Sequence, residues 1–348
     1  METMKNGLIF FLSFSFSLFV QFNFSEQTQG TALEIENKKI ENYSLRIEQF
    51  YKLGKQEKWR DITDEVLLSQ DTSKDSKDAI RANHRRLIVF KYPSDGLWVK
   101  GFISFTPYPD HHPLLILYRW GNENFALMNP GVIFATYGNY TVISSTLRGG
   151  VSEGKDEFGG ADVDDMKNLI DFLPKLAQEL GIELHPSCVF MLGSSRGGME
   201  MFLTLARFPE LQNRVNKVVA LSAALDLHRL IQDRPDDMKA MLQKHFGLPE
   251  GAKGEAWIAK RDPLNSVPYL KKSLPILIIQ GTKDNRISLD EGHHMLQTLQ
   301  ASGNDVNYWE VPNGNHVLLN TPHIMHDIAH WLESNSPCMS IHLQSKRQ

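Results

Sequence analysis

From residue 86 onward the chain alternates between two hydrophobic patterns. Short, near-continuous apolar runs recur at 114–117, 132–135, 141–145, 188–192, 217–222, 276–280 and 308–311, each with the length of a strand buried on both faces. Between most of them lie stretches with apolar residues at helical spacing, at 162–180, 197–208, 289–301 and 321–333. Parallel neighbours need a crossover connection, so this alternation predicts an α/β fold, a mostly parallel central sheet with helices on both faces. A hairpin precedes it: Leu87, Val89, Trp98, Val99, Phe102 and Ile103 flank the turn signal Pro93-Ser94-Asp95-Gly96,.

Outside that core the pattern changes. Residues 1–25 carry a short n-region and a Phe-rich apolar run too short for a comfortable membrane span, which reads as a secretory signal peptide with a membrane anchor as the alternative,. Residues 26–85 interleave charges with Tyr43, Leu45, Ile47, Phe50, Tyr51 and Leu53 at helical spacing, predicting a helical N-terminal extension,. The catalytic domain is expected over 86–334. Its one long departure, 226–272, is rich in charge, Pro and Met and reads as a mainly helical excursion. Residues 335–348 form a polar tail.

Composition narrows the function classes. The 37 Lys and Arg against 41 Asp and Glu leave a net charge of -4, no field for a nucleic-acid backbone, so nucleic acid is excluded as a partner. The two cysteines, Cys188 and Cys338, make neither a disulfide framework nor a zinc-ligand spacing,.

The chemistry starts where the apolar run 188–192 meets Gly193-Ser194-Ser195-Arg196-Gly197-Gly198, followed by a helical stretch. This is G-x-S-x-G in its strand-turn-helix context, a tight turn that lifts a hydroxyl above the sheet. Ser195, with glycines two positions away on both sides, is the expected nucleophile, and the N–H of Arg196 points toward a developing oxyanion. A serine needs a base, itself oriented by an acid, here in the order Ser, Asp, His after late strands. Asp284, in the loop after 276–280, and His316, after 308–311, occupy those places. Asp290 reads as a helix-start residue instead. His323, His326 and His330, like the pairs at 111–112 and 293–294, lack a supporting ligand pattern, so neither a metal nor a cofactor is expected,.

Several segments together resemble the catalytic domain of the prolyl oligopeptidase family of serine peptidases: Leu147-Arg148-Gly149-Gly150, the stretch 154–165, Gly193 to Gly198, Arg261-Asp262-Pro263-Leu264 and Gly281-Thr282-Lys283-Asp284. The likeness covers roughly residues 86–332. It implies an α/β-hydrolase fold and hydrolysis of a peptide or related acyl bond, with Ser195 attacking, His316 moving the proton and Asp284 orienting the imidazole. Two departures stand out. The stretch before the core is too short for the β-propeller that family members carry. Family members also place a tyrosine hydroxyl in the oxyanion hole, whereas counting along Tyr118-Arg119-Trp120-Gly121-Asn122 puts Trp120 there. Backbone N–H groups of Arg196 and of the Arg119–Gly121 loop are therefore expected to stabilise the oxyanion, with Tyr118 and Trp120 as side-chain candidates. The Gly-rich 148–160 segment lacks a phosphate-loop pattern and reads as structural; Asp162, Asp164 and Asp165 are expected to complement a helix dipole.

The expected activity is cleavage of small peptides by a secreted or periplasmic serine hydrolase, with no membrane span once the leader is removed. A carboxylesterase on the same fold is the alternative, and a non-catalytic binding module that kept the fold is the reading from outside enzymology.

Overall fold

The computed structural model describes residues 38–107, 112–125, 127–136, 140–184, 187–318, 321 and 323–334; the leader and the polar tail lie outside them. The chain enters through helix α1 (38–47), strand β1 (Trp59–Asp61) and helices α2 (Thr63–Leu68) and α3 (Lys74–Ala82). The hairpin follows as β2 (Arg86–Ser94) and β3 (Leu97–Phe105). Asp95 and Gly96 both have positive φ, 50° and 82°, the two-residue turn whose twist matches the strands it joins.

From there the order is β4 (Leu114–Tyr118), α4 (Pro130–Thr136), β5 (Thr141–Ser145), α5 (Asp162–Leu180), β6 (Val189–Ser194), α6 (Arg196–Arg207) and β7 (Lys217–Leu221). The excursion contributes α7 (Leu227–Asp233), α8 (Ala240–Phe246) and α9 (Gly251–Ala259), and the chain continues through β8 (Ile276–Gly281), α10 (Leu289–Ala301), β9 (Val306–Val311) and α11 (Ile324–Glu333). One sheet holds them in the order β1-β2-β3-β5-β4-β6-β7-β8-β9. It is antiparallel from β1 through the β3–β5 pair and parallel from β5 to β9.

Side chains alternate across the parallel strands, which explains their continuous apolar runs. Leu114, Ile116, Val189, Met191, Val218, Ala220, Ile276 and Ile278 join α5, α6 and α10 in one core. Leu115, Leu117, Phe190, Leu192, Val219, Leu221, Leu277 and Ile279 face the opposite core, which α4, α11 and the extension complete through Ile47, Phe50, Tyr51, Ile62, Val66 and Ile80. The extension thus covers one face of the sheet rather than standing apart.

Three sequence expectations need correction. The run 132–135 is helical: Asn129 Oδ1 accepts the Gly131 N–H at 2.9 Å, and Pro130 opens α4, a start signal that outweighs the β-branched residues behind it. The extension also supplies a strand, β1, paired with β2. Finally, Cys188, set aside from sequence, is disulfide-bonded; the chain's other cysteine, Cys338, lies outside the described residues. Among those residues no helix is long and apolar enough to cross a membrane.

Candidate active site

β6 ends at the carboxyl edge of the sheet and the chain turns abruptly into α6. The turn residue is Ser195, at φ 54° and ψ −126°, a region costing a non-glycine residue ~1–3 kcal/mol unless its surroundings enforce it. They do. A Cβ on Gly193 would lie 2.4 Å from the Gly197 carbonyl oxygen, one on Gly197 2.4 Å from the Tyr118 carbonyl oxygen, and one on Gly198 2.2 Å from Ala223 Cβ. The Ser195 N–H donates to Leu221 O, and its carbonyl accepts from the Gly198 and Ala224 N–H groups, all at 3.1 Å. The result is a half-exposed hydroxyl at the start of a helix.

The candidate acid and base arrive on two loops knitted together. After β8, Gly281 packs so closely on Gly314 that a Cβ would lie 2.3 Å from its carbonyl oxygen. Lys283 N–H donates to Gly314 O at 2.9 Å, and Asn313 N–H to Thr282 Oγ1 at 2.8 Å. This register brings His316 Nδ1 to 2.9 Å from Asp284 Oδ2 and His316 Nε2 to 3.1 Å from Ser195 Oγ. Asp284 has a fully buried side chain, and that of His316 is 16% exposed. The Asp284 carboxylate is aimed by Gln280 Nε2 at 3.0 Å and by the N–H groups of Arg286 and Ile287 at 2.8 and 3.0 Å. Three residues far apart in sequence thus form one continuous relay of hydrogen-bond distances.

The oxyanion side is only partly as expected. Arg196 is the first residue of α6, so its N–H has no acceptor within the helix. Tyr118, however, is not at the site. Strand parity turns it toward the α5–α6 core with Leu114 and Ile116, its hydroxyl meets Met191 Sδ at 3.9 Å, and burial pushes its ionisation well above the ordinary range. Trp120 is half-buried against the opposite core. The loop after β4 is instead organised by Arg119. Its buried guanidinium donates to the carbonyls of Trp120 at 2.9 Å, Thr146 at 3.1 Å, Phe125 at 3.0 Å and Glu123. Burial, then the nearby Arg196 charge, lowers its pKa to about 10.

Behind Ser195 lies a charge cluster that no motif in the sequence announces. The Arg196 guanidinium is 4% exposed and stacks 4.6 Å from the Phe158 ring centroid. It donates to both Asp156 oxygens at 2.7 Å, to Glu200 Oε1 at 3.0 Å and to Asp162. Burial opposes the Arg196 charge, but the carboxylates of Asp156, Glu200 and Asp162 outweigh it and hold its pKa well above normal. Burial, reinforced by the Asp162 charge and opposed by that of Arg196, raises the Glu200 pKa well above the ordinary carboxylate value. Asp162 and Asp165 therefore do more than complement a dipole, since Asp165 is likewise buried against Arg148. A signal was present in the sequence: an arginine directly after the nucleophile, inside an apolar elbow, demands a buried counter-charge.

The rivals fall elsewhere. Asp290 pairs with Arg229 on the surface. His294 Nδ1 lies 2.6 Å from Asp226 Oδ2 and His293 Nε2 2.6 Å from Glu310 Oε1. His323 caps α11, and His326 on that helix is exposed.

With this geometry in view, a family model described as the prolyl oligopeptidase family matches residues 138–336. The chain is 25% identical over 236 residues to the Bacillus subtilis "Uncharacterized peptidase YtmA", covering 66% of this chain and 85% of that one. It is 26% identical over 191 residues to the Arabidopsis thaliana "Acylamino-acid-releasing enzyme", covering 51% of this chain and 24% of that protein. Among solved structures, the Pyrococcus horikoshii acylaminoacyl peptidase superposes with a TM-score of 0.53 at 18% identity, over 70% of this chain and 40% of that one. A Mycobacterium tuberculosis puromycin-hydrolyzing peptidase gives 0.53 at 16% identity, over 69% and 38%. The chain thus spans about two fifths of these structures, and at such identities the likeness is one of fold.

Proposed function

The chain belongs to the prolyl oligopeptidase family of serine peptidases, and from that premise we propose that it hydrolyses acyl bonds of small peptides through Ser195, His316 and Asp284. The observation that carries this is the unbroken relay of 3.1 and 2.9 Å from hydroxyl to imidazole to carboxylate.

In this mechanism His316 donates its Nδ1 hydrogen to Asp284, leaving Nε2 free to accept the Ser195 proton as Oγ attacks the carbonyl carbon. Asp284 stabilises the imidazolium that forms. Main-chain N–H groups of Arg196 and of the 119–121 loop receive the oxyanion, and the imidazolium then protonates the leaving amine. Water, activated by the same imidazole, releases the acid from Ser195 and restores the relay.

Small acyl-peptides are the favoured substrates for two reasons. The relatives' names include an acylamino-acid-releasing enzyme and a puromycin-hydrolyzing peptidase. The excursion also reaches the rim of the site, with Met241 Sδ 4.0 Å from Asn122 Nδ2. Export is part of the same proposal; a disulfide at Cys188 favours an oxidising compartment.

The test compares turnover of the purified chain on aminoacyl-amide and short acyl-ester chromogenic substrates, with Ser195→Ala as control. Amide cleavage lost in the variant supports the proposal. Ester cleavage with no amide cleavage would overturn the peptidase reading in favour of an esterase, and a wild type indistinguishable from Ser195→Ala would overturn the catalytic one.

A further inference from the structure

We propose that Asp156 is a positioning residue that locks the two sides of the oxyanion hole together through the side chain of Arg196. The proposal rests on the catalytic reading above, in which the oxyanion donors come from the start of α6 and from the loop after β4.

Those donors belong to separate segments, and preorganised stabilisation requires that they hold a fixed spacing while charge develops. The α6 side is fixed by the crowded glycines of the elbow. The other side is an irregular loop whose root is held to the elbow by the pairing of Tyr118 with Gly193 and the close approach of Gly197 to the Tyr118 carbonyl; Arg119 gathers the carbonyls beyond that root, but those bonds do not reach α6.

The connection is made by one carboxylate. Asp156 Oδ2 accepts from Arg196 Nη1 at 2.7 Å and also from the Glu123 N–H, in the β4 loop, at 2.9 Å. Asp156 Oδ1 accepts from Arg196 Nη2 at 2.7 Å and from the Phe158 N–H at 2.9 Å. Arg196 Nη1 also reaches the Gly121 carbonyl at 3.4 Å. The residue whose backbone N–H forms one wall of the hole therefore uses its side chain to hold the other wall. Asp156 is 2% exposed, so water does not substitute for these bonds.

A purely structural salt bridge would follow a different pattern from a positioning one. Asp162 also pairs with the guanidinium and Glu200 still accepts from it, so Arg196 keeps a counter-charge and a hydrogen-bond partner when Asp156 is neutralised. What Asp156→Asn loses is the anionic bridge to Glu123 N–H. The expected result is a kcat lowered about 10- to 100-fold, below the cost of deleting an oxyanion donor outright, with KM within about threefold of wild type. A substrate-derived trifluoromethyl ketone, whose adduct on Ser195 places an oxyanion in the hole, should lose affinity in step with kcat/KM. A non-hydrolysable peptide isostere, which makes no oxyanion, should bind as before. Asp156→Glu, which keeps the charge but moves it by one methylene, should show the same split.

A kcat changed less than twofold in either folded variant would overturn the proposal, as would equal weakening of ketone and isostere. If neither variant folds, a crystal structure of the wild-type ketone adduct decides. The adduct oxygen within hydrogen-bond distance of both Arg196 N–H and an N–H of the 119–121 loop, with Asp156 still joining Arg196 to Glu123, upholds it; an adduct oxygen held by Arg196 alone sinks it. An inactive wild type that fails to react with a fluorophosphonate would instead indict the triad, so the two failures are distinguishable.

Discussion

Ser195 holds a positive φ only because its neighbours leave no alternative, so the hydroxyl's position depends on atoms that take no part in the chemistry. Gly198→Ala puts a Cβ 2.2 Å from Ala223 Cβ, forcing α6 away from β7; kcat is expected to fall at least about tenfold with a lower melting temperature, since overpacking costs ~1–3 kcal/mol. Asp284→Asn keeps the shape of the relay but favours the wrong imidazole tautomer. It should lower kcat by about 10³- to 10⁴-fold while leaving the fold intact by circular dichroism. Tyr118→Phe removes a hydroxyl that faces Met191 in the core, and turnover within twofold of wild type is expected; a large loss would restore that tyrosine to the oxyanion hole. These residues also mark what the sequence made legible. Ser195, Asp284 and His316 could be read because each sits in a loop just after an apolar run, where topology alone dictates placement. Asp156 could not, because its partner Arg196 lies 40 positions away and no periodic pattern encodes that pairing; Glu200 sits at helical i,i+4 spacing from Arg196, but spacing alone does not tell a buried pair from a surface one. Tyr118 was misplaced because β4 extends one residue past its aliphatic run, so the strand's parity, not loop geometry, sets its direction.

At the level of elements, the strands were readable because burial on both faces writes them as uninterrupted apolar runs, and the amphipathic helices because one stripe of each meets the sheet. The failure at 132–135 has a definite cause. Four apolar residues fit a short strand or a helical turn equally well, and the side chain of Asn129 tips the balance. Asn129→Ala should therefore cost ~1 kcal/mol, read as a lowered denaturation midpoint with unchanged m-value. The start of α10 offers a pH test. Glu291 closes a capping box with Ser288, and burial, opposed by main-chain hydrogen bonds, raises its pKa to about 8. Because the folded chain holds this proton more tightly than the unfolded one, the contribution to stability is complete below the ordinary glutamate range and is lost as pH rises toward and through 8. Wild type should accordingly lose more thermal stability between pH 6 and pH 9 than Glu291→Gln does. Parallel melting curves for the two would mean that the carboxyl is already ionised at neutral pH.

Across the whole molecule, the two cores on either side of the sheet build the platform, while a third apolar cluster belongs to the excursion. There Leu227, Leu230, Met238, Leu242, Phe246 and Ile258 pack against Phe158, Met199 and Leu203 rather than against the strands. The sequence shows this segment as mainly helical but does not aim it, because its packing surface is the outer side of α6 and the loop before α5. That arrangement separates the demands of stability from those of selection. Met241, half-buried on α8, reaches across to Asn122 in the loop after β4, so it bounds the entrance to the proposed site without supporting the sheet. Shortening it with Met241→Ala widens the space beside Asn122 and removes a flexible thioether that fills irregular gaps. The melting temperature should move by no more than about 2 °C, in keeping with a partly exposed position. The ratio of kcat/KM for a bulky acyl-peptide over a small one should rise about 3- to 30-fold, below the roughly 10- to 200-fold that a methylene commands in an enclosed pocket, because Met241 is only half-buried. An unchanged ratio with a large drop in melting temperature would assign α8 to the support of the core, and the residues that select the substrate would then have to be sought in the loops that carry Asp284 and His316.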